Sequence, residues 1–413
     1  MPTAEVLTIG DELLIGQVIN TNQAFIAEAL NGIGVDVARM TTVGDDAAAI
    51  QSAFAAAEKS ADLVIVTGGL GPTHDDITRT VVCRFFGTTL VRNQAVLDHI
   101  AAIFRERNLA LTPLNEDQAL VPATARVLHN PAGTAPGLLF EREGKSFIVL
   151  PGVPHEMKAI MMESVLPYLA PRVSGTVIRH HTLRTTGIAE SHLAAEIGNV
   201  GDFLNGATLA FLPSPTGVRL RITVHAKDDA TASGQVQAIE DQLTARIGKY
   251  VYGTGEDELE TVLGRILMER RMTIAVAESC TGGLIASRIT DVSGSSAYFE
   301  RGVVAYSNAS KTNLLGVPAS MIDAHGAVSS EVAAAMAAGV RRASGTDIGL
   351  STTGIAGPTG GTPEKPVGLV WIGFADAAES IALKFNFGRD RLRTKERAAQ
   401  AALELVRRKV LGI

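Results

Sequence analysis

ADLVIVTGGLGPTHDDITRT, residues 61–80, decides the fold. Residues 62–66 (DLVIV) form a short apolar run that stops at a glycine cluster, the pattern of a fully buried parallel strand. Gly68, Gly69 and Gly71 follow, then Pro72, Thr73 and the pair Asp75 and Asp76, from which a helix is predicted to run to about Gly87. A strand, a glycine loop and a helix N-terminus make an anion site, because glycines let backbone N–H groups approach an oxyanion and the helix dipole adds positive potential. Two carboxylates beside a phosphate repel it unless a divalent cation lies between them. The stretch therefore reads as a metal-plus-phosphate loop. The plainer reading, Thr73 and Asp75 as helix caps, accounts for one aspartate but leaves the glycines unexplained.

Working outward, residues 5–10 (EVLTIG) and 35–43 (VDVARMTTV) are expected as strands and the segments ending near Gly32 and Ser60 as helices. With the opening stretch this alternation implies a parallel sheet covered on both faces, which binds ligands at the carboxyl ends of its strands. That rule gathers Gly10, Asp11, Glu12, Gly44, Asp45 and the 68–76 loop on one rim. A hairpin over 137–150 leads to a helix starting at His155, with Glu156 in its first turn.

From about Thr176 the order becomes β-α-β-β-α-β, a small split α+β sandwich. Its His180-His181 pair reads as ordinary, since adjacent strand residues face opposite ways. The piece shows no catalytic constellation. It reads as a spacer or dimerisation module, and a homodimer is expected.

Near Glu256 a third α/β segment begins. The strand predicted over 273–279 (TIAVAES) stops at Ser279-Cys280-Thr281-Gly282-Gly283, a strand-to-helix turn with the logic of a nucleophile elbow but without the G-x-S-x-G pattern. Either Ser279 or Cys280 is the candidate nucleophile, and only one of them faces a ligand. A second strand ends at Tyr306, with Lys311 opening the next helix; a lysine activates a serine when burial keeps it neutral. Residues 348–355 run into a second glycine loop, 356–363, able to hold a phosphate or form an oxyanion hole. The final helix carries Arg391, Arg393, Lys395 and Arg397 near its start, where cations oppose the dipole unless they meet an anion.

The 413 residues exceed one ordinary core, so two or three domains are expected; 46% hydrophobic and 19% charged residues describe a globular chain. A formal net charge of −6 gives no electrostatic case for nucleic acid, and no apolar run has the length of a membrane span. The chain opens without a signal-peptide pattern, and Cys83 and Cys280 read as reduced thiols, so a cytoplasmic protein is expected. Cys83 is expected in the core.

GDELLIGQVINTN (10–22), TGGLGPTHDD (67–76), LPGVPHEM (150–157), AESCTGG (277–283), VAYSNASK (304–311) and STTGIAGPTGG (351–361), in that order, resemble the competence/damage-inducible CinA family over essentially the whole chain. The resemblance implies a three-layer α/β/α MoaB/MogA-like domain (1–172), a KH-type α+β connecting domain (173–253) and a C-terminal α/β/α domain (254–413) similar to PncC-type nicotinamide-nucleotide amidohydrolases. It also implies two activities. The first is metal-dependent hydrolysis of ADP-ribose to AMP and ribose 5-phosphate, with a divalent ion of the Mg, Mn or Co class on Asp75, Asp76 and Glu156. Asp11, Glu12, Gly68, Gly69, Gly71 and Thr73 would contact that substrate. The second is hydrolysis of NMN to nicotinic acid mononucleotide and ammonia, with no cofactor. For this, Ser279 matches the family nucleophile in preference to Cys280, and Tyr306 and Lys311 match its partners. Thr281, Gly282, Thr353, Gly354, Arg391 and Arg393 would line the site. Relatives usually read Gly-Asp-Arg where this chain has Gly388-Arg389-Asp390-Arg391, which leaves Arg391, Arg393 and Lys395 all open as phosphate contacts. A molybdopterin-binding or adenylating first domain, or a non-catalytic role in competence or recombination, are the rival expectations.

Overall fold

A computed structural model describes residues 3–71, 76–173 and 177–413. The chain divides into two compact units at residue 179, with Val224–Gln235 grouped with the first.

In the first unit, strands Asp36–Val43, Thr3–Ile9, Leu63–Thr67 and Lys145–Leu150 lie side by side in parallel, extended by antiparallel Gly137–Arg142 and Arg126–Leu128. Alternate residues of one strand enter different cores. Val6, Leu63, Ile65 and Ile148 pack with Ile26, Leu30, Met157 and Ile160, whereas Leu7, Val64, Val66 and Val149 pack with Ile50, Phe54, Val81 and Val82. Period-two alternation feeding two apolar layers is why the sheet has helices on both faces. Each such side chain contributes roughly 1.5–3 kcal/mol by leaving water. The register sets Ile9 beside Val43, Thr8 beside Thr67 and Thr67 beside Leu150, so the loops that follow emerge along one edge.

The second α/β sheet runs Phe299–Val304, Ile274–Glu278, Ile348–Gly354, Leu369–Ala375, Ser380–Asn386, parallel across the first three strands and antiparallel beyond. Ile274 and Val276 enter a core with Leu263, Leu267 and the final helix Arg391–Leu411; Ala275 and Ala277 enter the other with Val332, Met336 and Val340. Glu278 pairs with Val304 on one side and Thr352 on the other, which again brings the strand ends together. Between these regions in sequence lies the sheet Thr208–Ser214, Gly217–Ala226, Val177–Thr185, Val251–Thr254, with helices Glu190–Ile197 and Asp229–Ile247: the expected β-α-β-β-α-β order.

Some details differ from the sequence reading. The helix after the first glycine loop begins at Thr78, with no side-chain cap among the described residues, so Asp76 precedes the helix instead of opening it. Residues 11–14 form a short helix, Asp11–Leu14, ahead of the helix expected to end near Gly32. The segment 88–136, without legible motifs, contains helix Gln94–Glu106 and a short hairpin-like pair, Leu90–Arg92 with Leu120–Pro122. Cys83 is half-buried, not fully in the core. Among the described residues no helix is long and apolar enough to cross a membrane.

Candidate functional sites

At the carboxyl edge of the first sheet the loops enclose a cleft of about 400 Å³, whose lining includes Glu12, Asp45, Gly68–Gly71, Asp76, Gln118 and Glu156. Gly68 has φ 120°, and a Cβ there would fall 2.2 Å from the Ile9 carbonyl oxygen. Gly69 has φ 65°, and its Cβ would meet the Thr78 hydroxyl at 2.1 Å. Only glycine meets both demands, a left-handed backbone and a neighbour in the side-chain position.

Of the sequence-predicted residues, Glu12, Gly68, Gly69, Gly71, Asp76 and Glu156 line this cleft together. Asp11 does not. Its carboxylate accepts from the Asp45 N–H at 3.2 Å while its own N–H donates to Asp45 Oδ2 at 3.0 Å, tying two loops together. Thr73 and Asp75 lie outside the described residues. Glu156 is oriented by Asn130, whose side-chain amide donates to Glu156 Oε2 at 2.7 Å and to the Ala135 carbonyl at 2.8 Å.

Glu12, Asp45, Asp76 and Glu156 present hard carboxylate oxygens, the donor chemistry that Mg²⁺ or Mn²⁺ takes. Among the described residues, no three His, Cys, Asp or Glu side chains stand close enough together to hold an ion. The donor type fits a divalent cation; the described side chains do not converge on one.

Three polar residues here were not among the site residues expected from the sequence. Asn22, the last residue of the first motif, is buried and donates to Gly152 O at 2.7 Å and Thr67 Oγ1 at 3.2 Å. Gln118 and Asn130 are 3% and 2% exposed. Both lie in the segment without motifs, and nothing in their local sequence singles them out.

The second site forms where Ile274–Glu278 ends. Lys311, 2% exposed, stands in the first turn of helix Asn308–Leu315, which Ser307 caps by accepting from Ser310 N–H. Its Nζ lies 3.2 Å from Ser279 Oγ, 3.1 Å from Ala305 O and 3.5 Å from Tyr306 O. Burial lowers the Lys311 pKa below the ordinary lysine value, opposed only by the field of Cys280. A neutral amine has two N–H donors and one lone pair. The two carbonyls take the donors, and the lone pair is left for the Ser279 O–H.

Cys280 points the other way, into the apolar core, and burial pushes its thiol up to about 12. That removes it as a nucleophile, because the thiolate is the reactive form. Glu278, 1% exposed, accepts from the N–H groups of Gly283 (2.9 Å), Ile285 (3.2 Å) and Ala286 (2.9 Å). An internal carboxylate thus caps helix Leu284–Thr290, and the N–H groups of residues 280–282 are not among its donors. Gly282 and Gly283 make the turn with φ 63° and 95°.

The remaining predicted residues divide. The Thr281 hydroxyl is buried against that of Thr352 at 2.7 Å, and the Thr353 hydroxyl donates to Ala327 O at 2.8 Å. Both side chains serve the loops, leaving only their backbones to face a ligand. Gly354 ends its strand beneath the second glycine loop; a Cβ there would lie 2.6 Å from Leu369 O. Tyr306 is exposed, and its hydroxyl meets Arg391 at 3.0 Å; only its carbonyl faces Lys311. Arg391 also donates to Gly357 O at 2.8 Å. Arg393 is exposed; its backbone N–H donates to Asp390, and its guanidinium has no hydrogen bond among the described residues. Lys395 approaches the nucleophile turn, its Nζ 3.6 Å from where a Cβ on Gly282 would be.

A doubly covered sheet with a glycine-loop cleft, followed in the chain by a small α+β module and a second doubly covered sheet carrying a buried serine–lysine pair, defines a three-domain α/β protein. Residues 5–171 match the family model described as "Probable molybdopterin binding domain", residues 180–253 that of the "Damage-inducible protein CinA KH domain" and residues 256–410 that of the "CinA C-terminal domain". A CinA-like protein of Chloroherpeton thalassium is 47% identical over 98% of this chain and 98% of its own length, and one of Salinibacter ruber is 48% identical with the same coverage. A crystal structure of CinA from Thermoplasma acidophilum is 41% identical over 40% of this chain and 98% of its own, with a TM-score of 0.37. The chain belongs to the CinA family.

Proposed function

We propose that the C-terminal domain hydrolyses the carboxamide of nicotinamide mononucleotide (NMN). The observation carrying this reading is the buried, charge-disfavoured Lys311 amine within hydrogen-bond reach of Ser279 Oγ. Ser279 attacks the amide carbon as Lys311 takes its proton. N–H groups of the 280–282 turn stabilise the oxyanion that forms. The protonated lysine then gives its proton to the departing ammonia, leaving an acyl-serine. Water, deprotonated by Lys311, cleaves that ester and restores Ser279, so NMN and water yield nicotinic acid mononucleotide and ammonia. Arg391 and Lys395 supply positive charge for the substrate phosphate, the role that offsets their unfavourable place at a helix N-terminus. Ammonia release from NMN by wild type, and its absence from Ser279→Ala, is the test; a fully active alanine variant overturns the reading.

The N-terminal cleft supports a second activity, hydrolysis of the ADP-ribose diphosphate to AMP and ribose 5-phosphate. The glycine loop offers backbone N–H groups to the diphosphate. Asp76 and Glu156, with Asp75, would hold a divalent cation, which when bound polarises the diphosphate and lowers the pKa of water. Glu156 is kept in orientation by Asn130. AMP formation that needs added Mg²⁺ or Mn²⁺ is the expected result, and metal-independent cleavage overturns the metal assignment. Direct titration with a pterin separates this from a molybdopterin-binding role. Both substrates are fragments of NAD, so one chain carrying both sites suits salvage of that cofactor.

A further inference from the structure

The second unit holds a cavity of about 520 Å³ that contains neither Ser279 nor Lys311 in its walls and is lined by residues of that unit alone. Phe385 and Phe387, at the end of the last strand, line it from the C-terminal domain, and Ile188, Pro213 and Pro215 from two loops of the small α+β module. The two phenyl rings lie nearly parallel, centroids 5.4 Å apart at 9°. Stacked rings and prolines present flat apolar surfaces, the lining that takes an aromatic ligand.

One cation belongs to this cavity. Arg397, which opposes the dipole of the final helix, is not among the residues assigned to the NMN phosphate. It lines the cavity, is exposed, and makes one hydrogen bond among the described residues, to Phe387 O at 3.4 Å. A guanidinium has five N–H donors, so most of its capacity is left for an anion. Glu190, on the module's side of the cavity, stands in the first turn of helix Glu190–Ile197, where the helix dipole stabilises its charge. The charge left to be met is that of Arg397.

Three further lining residues, Thr216, Thr186 and Gln400, begin a chain of hydrogen bonds. Thr186 Oγ1 donates to Thr216 O at 3.0 Å and accepts from Gln400 Nε2 at 3.2 Å. Gln400 Oε1 accepts from Arg288 at 2.8 Å, and Arg288 also donates to Glu260 at 2.6 Å. Thr186 and Gln400 are buried. Gln400 belongs to the helix that carries Arg391 and Lys395, and Arg288 to helix Leu284–Thr290, which follows the Ser279 turn. The chain thus ties the helix of the proposed phosphate cations to the helix behind the nucleophile, and its other end lies in the cavity wall.

We infer that this cavity is an effector site for a small aromatic anion, whose binding alters NMN hydrolysis by moving the final helix against the Ser279 turn through Thr186, Gln400 and Arg288. The effect on catalysis rests on the reading of the C-terminal site as an NMN amidohydrolase; the binding site does not.

The test is fluorescence titration of the full chain with anilinonaphthalene sulfonate, an aromatic anion, and with phenylnaphthylamine, the same rings without the sulfonate. Ala189 is exposed and lines the cavity, so Ala189→Trp fills it from outside and is expected to remove one site for both probes. Arg397→Ala is expected to weaken the sulfonate about tenfold, in line with a lost charge-assisted hydrogen bond, and to leave the neutral probe unchanged. In wild type, saturating sulfonate is expected to raise KM for NMN about fivefold or more, the lower end of ordinary couplings between sites. Gln400→Met should keep probe binding, which shows the module folded, and lose that response. Probe binding unaltered by Ala189→Trp overturns the site, and equal weakening of both probes in Arg397→Ala overturns its anionic ligand. An unaltered KM at saturation, or a rise that survives in Ala189→Trp, overturns the effector role, and a response that persists in Gln400→Met overturns the relay. Probe binding lost in Ala189→Trp, from a wild type that releases no ammonia from NMN, upholds the ligand site and overturns the amidohydrolase reading.

Discussion

Lys311 Nζ lies 3.2 Å from Ser279 Oγ, and among the described residues its other hydrogen-bond partners are the carbonyl oxygens of Ala305 and Tyr306. Burial lowers its pKa, and among the described residues no ion pair opposes that. The active form is the neutral amine, so kcat/KM for NMN is expected to rise with pH through that lowered pKa and to level off below the pH at which an ordinary lysine, of pKa ~10.4, would titrate. Lys311→Met, close in shape but without a lone pair, should lose roughly 10²–10⁴-fold in kcat, the usual worth of a general base. A pH profile still climbing near the ordinary lysine value would reject the neutral-amine mechanism.

Glu278 is expected to hold the nucleophile turn and to support stability together. Glu278→Ala leaves the N–H groups of Gly283, Ile285 and Ala286 without their acceptor. At about 1–3 kcal/mol for each orphaned buried donor, a loss of at least ~3 kcal/mol is expected. Glu278→Gln keeps one acceptor oxygen but turns an N–H₂ toward an N–H, so its loss should be intermediate. The chain has a single tryptophan, Trp371, in the same sheet, and its fluorescence during urea unfolding reports on this region. Equal midpoints for wild type and Glu278→Ala would refute the capping role.

Much of this was legible in the sequence where a feature is local. Short apolar runs ending at glycines gave the strands and the two rims, because a buried parallel strand needs a continuous apolar run and its loop needs positive φ. Ser279 and Cys280 remained equivalent on spacing alone; what separates them is the side of the turn each faces, which only packing decides. Whether Lys311 is buried could not be read from its position, since its burial comes from residues distant in sequence. Thr281 and Thr353 were legible as loop residues but not as ones whose hydroxyls are used internally. Gln118 and Asn130 were invisible, because an amide reveals its importance only through the partners it has or lacks.

If the C-terminal site takes NMN as proposed, Lys395 and Arg391 are expected to divide the task of meeting its phosphate. Arg391 is already engaged by Gly357 O and Tyr306 Oη, whereas Lys395 stands over Gly282 and has no ion pair among the described residues. Lys395→Ala should therefore raise KM for NMN by about tenfold or more, in line with a lost charge-assisted contact, while hydrolysis of nicotinamide riboside, which lacks the phosphate, changes little. Arg391→Ala should have a smaller effect on KM, because that guanidinium first ties the 357 loop to Tyr306. Equal losses on both substrates would show that Lys395 positions the turn and does not read the phosphate.

Gly68 offers a way to silence one site and spare the other. At φ 120°, with its missing side-chain position 2.2 Å from Ile9 O, Gly68→Ala forces the loop away from the strand that supports it. Displacement by even about 1 Å of groups that orient a substrate can cost ~10²-fold in rate. AMP release from ADP-ribose should fall on that scale in Gly68→Ala, and chelation of divalent ions should abolish it in wild type. Ammonia release from NMN should survive both treatments, since Ser279 and Lys311 belong to the other unit. Parallel assays of the two products on one preparation decide the matter. If Gly68→Ala retained full AMP release, the glycine loop would not be the diphosphate cradle; if ammonia release fell with it, the two activities would not be housed in separate sites.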